Sequence, residues 1–178
     1  MILRLRPKLR RSVSTLSKPR ALARRASNGL IRKAKAREAE EIKKLIDHYA
    51  QKNEMLPRSL SEIYENLRDY WVWEEKKKIV GCVALHVSWI DLGEIKSLAV
   101  VRNYTRRGIG TALVEKCLEE AKVLGLKKLF VLTYKPNFFK KKGFKLIDKE
   151  ELPNKIWSEC VRCVKFPNCN EIALSYYL

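Results

Sequence analysis

Thr105-Arg106-Arg107-Gly108-Ile109-Gly110-Thr111 is the stretch on which the fold turns. It lies between an apolar strand containing Leu98-Ala99-Val100 and a long amphipathic segment, Gly108 to Leu124, in which Ile109, Leu113, Cys117, Ala121 and Leu124 recur on one helical face. Two glycines separated by one residue let a backbone approach a ligand closely. At a helix N-terminus their N–H groups and the helix dipole favour negative charge. The segment therefore reads as a cradle for a pyrophosphate. It is neither a Walker A loop, because no Gly-Lys-Ser/Thr follows, nor the G-x-G-x-x-G of a dinucleotide fold.

Working outward, Leu30-Ile31-Arg32-Lys33-Ala34 predicts a short strand, and Ile42, Leu45, Ile46 and Tyr49 mark a helix from Glu38. A second helix starts near Ser59, after Pro57. Tyr70 to Trp73 and Ile79 to Val87 form a hairpin through the charged turn Glu74 to Lys78. A strand covers Glu94 to Val101, on which alternation places Glu94, Lys96 and Leu98 on one face. Beyond the long helix, closed by Gly125, come a strand at Leu129 to Thr133, a short helix opened by Pro136, a strand after Gly143-Phe144, and a last strand from Glu171 to Leu178. The order βααβββαβαββ is that of an α/β domain, with helices on the faces of its sheet and no internal repeat.

With 178 residues and 46% apolar content, one domain is expected, covering residues 30–178. No apolar run reaches the roughly 20 residues that span a bilayer, so no membrane partner is expected. The charge of +18 is unevenly spread. Through Arg37 there are 13 Lys or Arg and no acid, leaving 25 of the 38 basic residues against all 20 acidic ones. Most of the excess therefore lies in this N-terminal stretch, whose residues 1–29 are an Arg- and Ser-bearing extension read as disordered, and nucleic acid is not the expected partner of the body. Three readings of the extension stay open: a mitochondrial or other organellar transit peptide, a basic arm, or a translation start placed upstream of a true one near Leu30. Five cysteines without a signal-peptide core point to a reducing, cytoplasmic setting unless the extension is a transit peptide. Cys160-Val161-Arg162-Cys163 with Cys169 offers three thiols for zinc but no fourth ligand, and no metal is expected. Alternation puts His86 on the face of Cys82 and Ala84, without an assigned role.

Taken together, these segments resemble a known family. The loop Thr105 to Gly110 is similar to the GNAT signature Q/R-x-x-G-x-G/A, with Thr105 in place of the leading side chain. Phe138-Phe139-Lys140-Lys141-Lys142-Gly143-Phe144 is similar to its F-Y-x-K-x-G-F segment. Gly81 to Leu85, Leu92 to Val100 and Leu129 to Thr133 resemble the matching parts of N-acetylglutamate synthase acetyltransferase domains. The resemblance implies the GNAT fold, a mixed and mostly antiparallel sheet flanked by helices, and acetyl transfer from acetyl-CoA to an amino-acid α-amine, L-glutamate foremost, as in arginine biosynthesis.

It further implies that Arg106, Arg107, Gly108, Ile109, Gly110 and Thr111 hold the pyrophosphate of coenzyme A. Leu98, Ala99 and Val100 then line its acetyl and pantetheine arm, with an oxyanion donor at a backbone bulge in that strand. Glu94 takes the amine proton, or is a surface carboxylate paired with Lys96. The family's tyrosine proton donor is Phe139 here, so Thr133, ahead of Tyr134, is the expected donor, unless Thr133 only caps the Pro136 turn. Arg58, Ser59 and Lys96 would bind an acidic substrate, or Ser59 would merely cap a helix. Acetylation of a protein or polyamine, and a non-catalytic acetyl-CoA or nucleic-acid binding module, are the alternatives. The expected partners are a small amino acid and, as an assembly, a homodimer.

Overall fold

The computed structural model describes residues 29–161, 163 and 165–178. The readings of the N-terminal extension thus fall outside the described residues, except for Gly29. Strand β1 (Leu30–Lys33) leads into helices α1 (Ala39–Ala50) and α2 (Leu60–Glu65). Strands β2 (Tyr70–Glu75), β3 (Lys78–Trp89) and β4 (Leu92–Val100) follow, then α3 (Ile109–Val123), β5 (Lys128–Thr133), α4 (Pro136–Lys140), β6 (Lys145–Leu146), α5 (Asn154–Val161) and β7 (Ile172–Tyr177). Among the described residues the strands form one seven-stranded sheet in the order β1-β2-β3-β4-β5-β7-β6. Every pairing is antiparallel except β4 with β5.

The predicted order holds, with one addition. Helix α5 is absent from the sequence reading, because in eight residues its apolar pairs Ile156-Trp157 and Cys160-Val161 recur only once, too short a run to establish a period. Its main anchor is Ile156, which packs with Leu92, Phe130, Leu152 and Ala173. The other helices follow their periodicity. Ile42, Leu45 and Ile46 of α1 are buried against Val72, Cys82, Ala84 and Ala99 on one face of the sheet. On the opposite face Ile109, Leu113, Val114, Cys117 and Ala121 of α3 pack on Val83, Leu85, Ile95, Leu129 and Val131. Cys82 and Cys117 are therefore core thiols. Arg32 ties β1 to the start of α1 and to the β2–β3 hairpin, with its guanidinium 2.7 Å from Glu38 and 2.5 Å from Glu74. That bond holds the Glu38 carboxyl below the usual carboxylate range.

Two irregularities in β4 create the space at the centre of the molecule. Its parallel pairing with β5 runs only from Leu92 opposite Lys128 to Glu94 opposite Phe130, although both strands continue for several residues. Against β3 the register steps from Ala84↔Lys96 to Cys82↔Ala99, so Ser97 and Leu98 together face Val83. This is a β-bulge, and Ser97 takes a φ of 55° to make it. The bulge corrects the simple alternation: Leu98 leaves the face of Glu94 and Lys96 and packs with the α3-side core. Among the described residues no helix is long and apolar enough to cross a membrane.

Two outcomes follow for stability. Leu113 is fully buried in the α3 core, so Leu113→Ala should cost about 2–5 kcal/mol in denaturant unfolding. Burial pushes the Cys82 thiol and the Tyr70 phenol each up to about 12, and raises Cys117 as well. Unfolded thiols and phenols lose their protons near about 8.5 and 10, so the unfolded chain releases them first. The stability they contribute is whole below about pH 8.5 and is lost as pH rises towards 12. The urea midpoint should fall across that window, and more shallowly in Cys82→Ala/Cys117→Ala; an identical fall in both proteins would exclude the thiols.

Candidate active site

Where β4 and β5 part, a cleft of about 1460 Å³ opens through the sheet. Its α3 side is built largely from backbone. Thr105 closes a 3-10 turn, Arg106 and Gly108 take left-handed φ values of 62° and 86°, and Gly108 is the residue from which α3 starts. The first amides of a fifteen-residue helix have no intrahelical acceptors. Gly108, Ile109, Gly110 and Thr111 all line the cleft, joined by Val100 and Phe138. A Cβ on Gly110 would stand 3.6 Å from the Phe138 ring and 3.8 Å from Val100, in ordinary contact with both. Around Gly108 that space is open, and its constraint is the backbone conformation. These residues suit a pyrophosphate. Arg106 lines the cleft, whereas Arg107 stacks its guanidinium 4.7 Å over the Tyr104 ring and is outside the lining. The hydroxyl of Tyr49 donates to the Val100 carbonyl, fastening α1 to the end of β4.

The opposite half is built from side chains. Glu94 is 9% exposed and ion-paired with Lys96 at 3.0 Å, so its pairing with Lys96 is a buried one. Glu171, just before β7, is also buried, and its carboxyl is raised above the usual range by that burial and by the charge of Glu94, against the opposing pull of Arg58 and Lys149. Tyr134 has its hydroxyl buried without a hydrogen-bond partner among the described residues. Burial, then the charge of Glu171, push its phenol up to about 12, so it is a proton-bearing group at neutral pH. His86 joins the same wall, its Nδ1 2.6 Å from Asp69.

Most of the residues expected from the sequence meet here. Glu94, Lys96, Arg58, Ser59, Thr133 and Tyr134 all line the cleft. Ser59 nevertheless caps α2: its Oγ accepts the Glu62 amide at 3.1 Å, and Glu62 accepts the Ser59 amide at 2.8 Å. Thr133 accepts the Lys135 amide at 3.0 Å, ahead of the Pro136 turn, and that bond leaves its hydroxyl able to donate. Arg58 lies 3.4 Å from Glu62, a long contact that leaves most of its fork uncommitted to that partner. Cys160, Cys163 and Cys169 also line the cleft as free thiols. Among the described residues no set of three His, Cys, Asp or Glu could hold a metal, so the zinc alternative has no geometry behind it. Glu171, Phe138 and the His86–Asp69 pair were not singled out as site residues from sequence. Glu171 carried no motif, and Asp69 meets His86 only through the pairing of β2 with β3.

Comparison with known proteins decides the family: residues 31–144 match the model of the acetyltransferase (GNAT) family. The chain belongs to that family. Among other GNAT proteins, an uncharacterised N-acetyltransferase of Chlorobaculum tepidum is 39% identical over 149 residues, 84% of this chain and 96% of its own. An amino-acid acetyltransferase of Mycobacterium tuberculosis is 37% identical over 150 residues, 83% of this chain and 86% of the relative. A Mycobacterium tuberculosis protein crystallised in complex with CoA superposes with a TM-score of 0.73 at 33% identity, covering 84% of this chain and 99% of that one. N-acetylglutamate synthase of Neisseria gonorrhoeae, solved with coenzyme A and N-acetyl-glutamate, shares the fold at TM-score 0.79 and 24% identity. The match covers 86% of this chain but 36% of the synthase.

For this GNAT domain the glycine cradle makes a graded forecast. Gly110→Ala should keep acetyl-CoA affinity, because a methyl group fits beside Phe138. Gly110→Val and Gly108→Val should weaken it by tenfold or more, on the order of the loss of one charge-assisted hydrogen bond. Calorimetric titration of folded variants checks this, and equal affinity in all three would remove the phosphate assignment.

Proposed function

We propose that this chain transfers the acetyl group of acetyl-CoA to the α-amine of a free amino acid, with L-glutamate the first candidate and arginine biosynthesis its setting. The observation that carries the proposal is the position of Glu94. It is a buried carboxylate beside Lys96, at the point where β4 and β5 part, with Arg58 lining the same cleft. An amino-acid acceptor presents an ammonium group and at least one carboxylate, and these residues supply a partner for each. The relative named amino-acid acetyltransferase, similar along most of both chains, supports the same reading.

In this scheme the cleft divides the work. The backbone amides at Gly108 to Thr111 take the pyrophosphate. The acetyl carbonyl lies along β4 next to the bulge at Ser97 and Leu98, where a strand amide freed from the ladder stabilises the developing oxyanion. Glu94 accepts the amine proton, so that the nitrogen lone pair attacks the thioester carbon and the C–S bond breaks. Thr133 donates to the departing sulfur, with Tyr134 behind it as a second protonated hydroxyl. Arg58 and Lys96 hold the acceptor's carboxylates, Arg58 through its planar fork.

A screen of acetyl-CoA against the free amino acids, with a peptide and a polyamine alongside, tests the acceptor class. Glu94→Gln should lower kcat by roughly 10²–10⁴-fold, the range of a positioned acid or base, with acetyl-CoA binding retained. Arg58→Ala should mainly raise KM for L-glutamate, because its contact is the same in ground and transition states. Faster acetylation of the peptide or polyamine than of any amino acid would overturn the proposal, as would normal glutamate kinetics in both variants.

A further inference from the structure

We propose that His86, held by Asp69, relays to solvent the proton that Glu94 takes from the acceptor nitrogen. The inference rests on the reading of Glu94 given above and adds a residue to it. His86 and Glu94 are direct cross-strand partners in the β3–β4 register, and both line the cleft. Such partners share a face of the sheet, with Cβ atoms about 4.5–5.5 Å apart. Lys96 lies one step further along the same face, opposite Ala84. The base thus has an ammonium on one side and an imidazole on the other.

Acetylation of an ammonium leaves one proton over. As the N–C bond forms and the C–S bond breaks, the nitrogen gives up two protons, the leaving sulfur takes one, and the second has to reach water. Glu94 is poorly placed to deliver it, with a side chain only 9% exposed and fixed to Lys96. His86, which lines the same cleft, is 28% exposed. Imidazole is the side chain whose charge changes most readily in the neutral range.

Asp69 fixes the chemistry of that ring. A carboxylate can only accept, so the 2.6 Å contact places a proton on Nδ1 and leaves Nε2 as the basic atom of the neutral ring. When Nε2 takes the proton from Glu94, the imidazolium so formed faces the opposite charge of Asp69, and Nε2 then releases the proton to water. Asp69 is held in turn by the 3-10 turn that joins α2 to β2, where its amide donates to Asn66 at 3.0 Å. The relay is therefore anchored in the segment that begins with Arg58 and Ser59.

The test measures CoA release from acetyl-CoA in two arms, one with L-glutamate and one with water as the only acceptor, so that it does not depend on the amino acid being right. His86→Asn keeps an N–H where Nδ1 was and so retains the Asp69 bond. It should lower kcat about tenfold or more, towards the range of acid–base groups, and leave KM for acetyl-CoA and L-glutamate unchanged. His86→Ala should regain rate as free imidazole is added, which a merely structural histidine would not do. Wild-type kcat in His86→Asn, an effect confined to KM, or no rescue of His86→Ala would overturn the relay. If Glu94→Gln is itself as fast as wild type in both arms, the base assignment falls and the relay with it. A slow Glu94→Gln beside a fast His86→Asn removes the relay alone.

Discussion

The parting of β4 and β5 is the constraint on which the rest of the molecule depends. Adjacent parallel strands normally exchange hydrogen bonds along their shared length, and backbone groups that do not must find other partners. Here the exchange stops after three residue pairs. The strands are kept apart from several sides at once. The Ser97 bulge turns β4 away, Tyr49 of α1 bonds the Val100 carbonyl, and the cores on both faces hold the strands at their paired ends. Because the gap falls inside the sheet rather than at its edge, its backbone groups face a cleft and not a neighbouring chain. It becomes a binding slot instead of an aggregation edge.

The two halves of that slot use different physics. On the α3 side the binding groups are main-chain amides, fixed by a helix start and two left-handed residues. They need no particular side chain beyond small size at Gly110 and a permissive φ at Gly108. The other side is a wall of charged, partly buried side chains. Two buried carboxylates, Glu94 and Glu171, stand close enough for the charge of one to raise the other, and cations on three separate segments offset them: Arg58, Lys96 and Lys149. A buried carboxylate without such compensation would be strongly disfavoured. The charges of the wall are therefore compensated within the wall itself.

This division explains what the sequence disclosed. The cradle was legible because its geometry is local: two glycines, a helix start and a preceding apolar strand lie within a dozen residues. The strands and α3 were legible because their burial is periodic. Helix α5 was not, since its apolar pairs, Ile156-Trp157 and Cys160-Val161, recur only once in so short a helix. Leu98 was placed on the wrong face because alternation assumes a regular strand, and the bulge that breaks it depends on β3 and α1 rather than on the residues around Ser97. Glu171 and Asp69 reach the cleft only through pairings across the sheet, of β5 with β7 and of β2 with β3, which no spacing along the chain reveals. Thr133 and Ser59 fell between these cases, because a hydroxyl that caps a turn can also line a cleft, and both do.

The same division bears on why family and acceptor separate so sharply. A main-chain cradle is preserved by any sequence that keeps the strand, the turn and the helix, so it survives extensive substitution and marks the fold wherever it occurs. The acceptor wall draws Arg58 from the start of α2, His86 from β3, Glu94 and Lys96 from β4, Tyr134 from the end of β5 and Glu171 from the entry to β7. Only Glu94 and Lys96 lie within two residues of each other. Each position can change without disturbing the cradle, since none of them packs in the α3 core. On the proposed reading, acceptor choice would rest on this dispersed wall, and donor binding on the compact cradle.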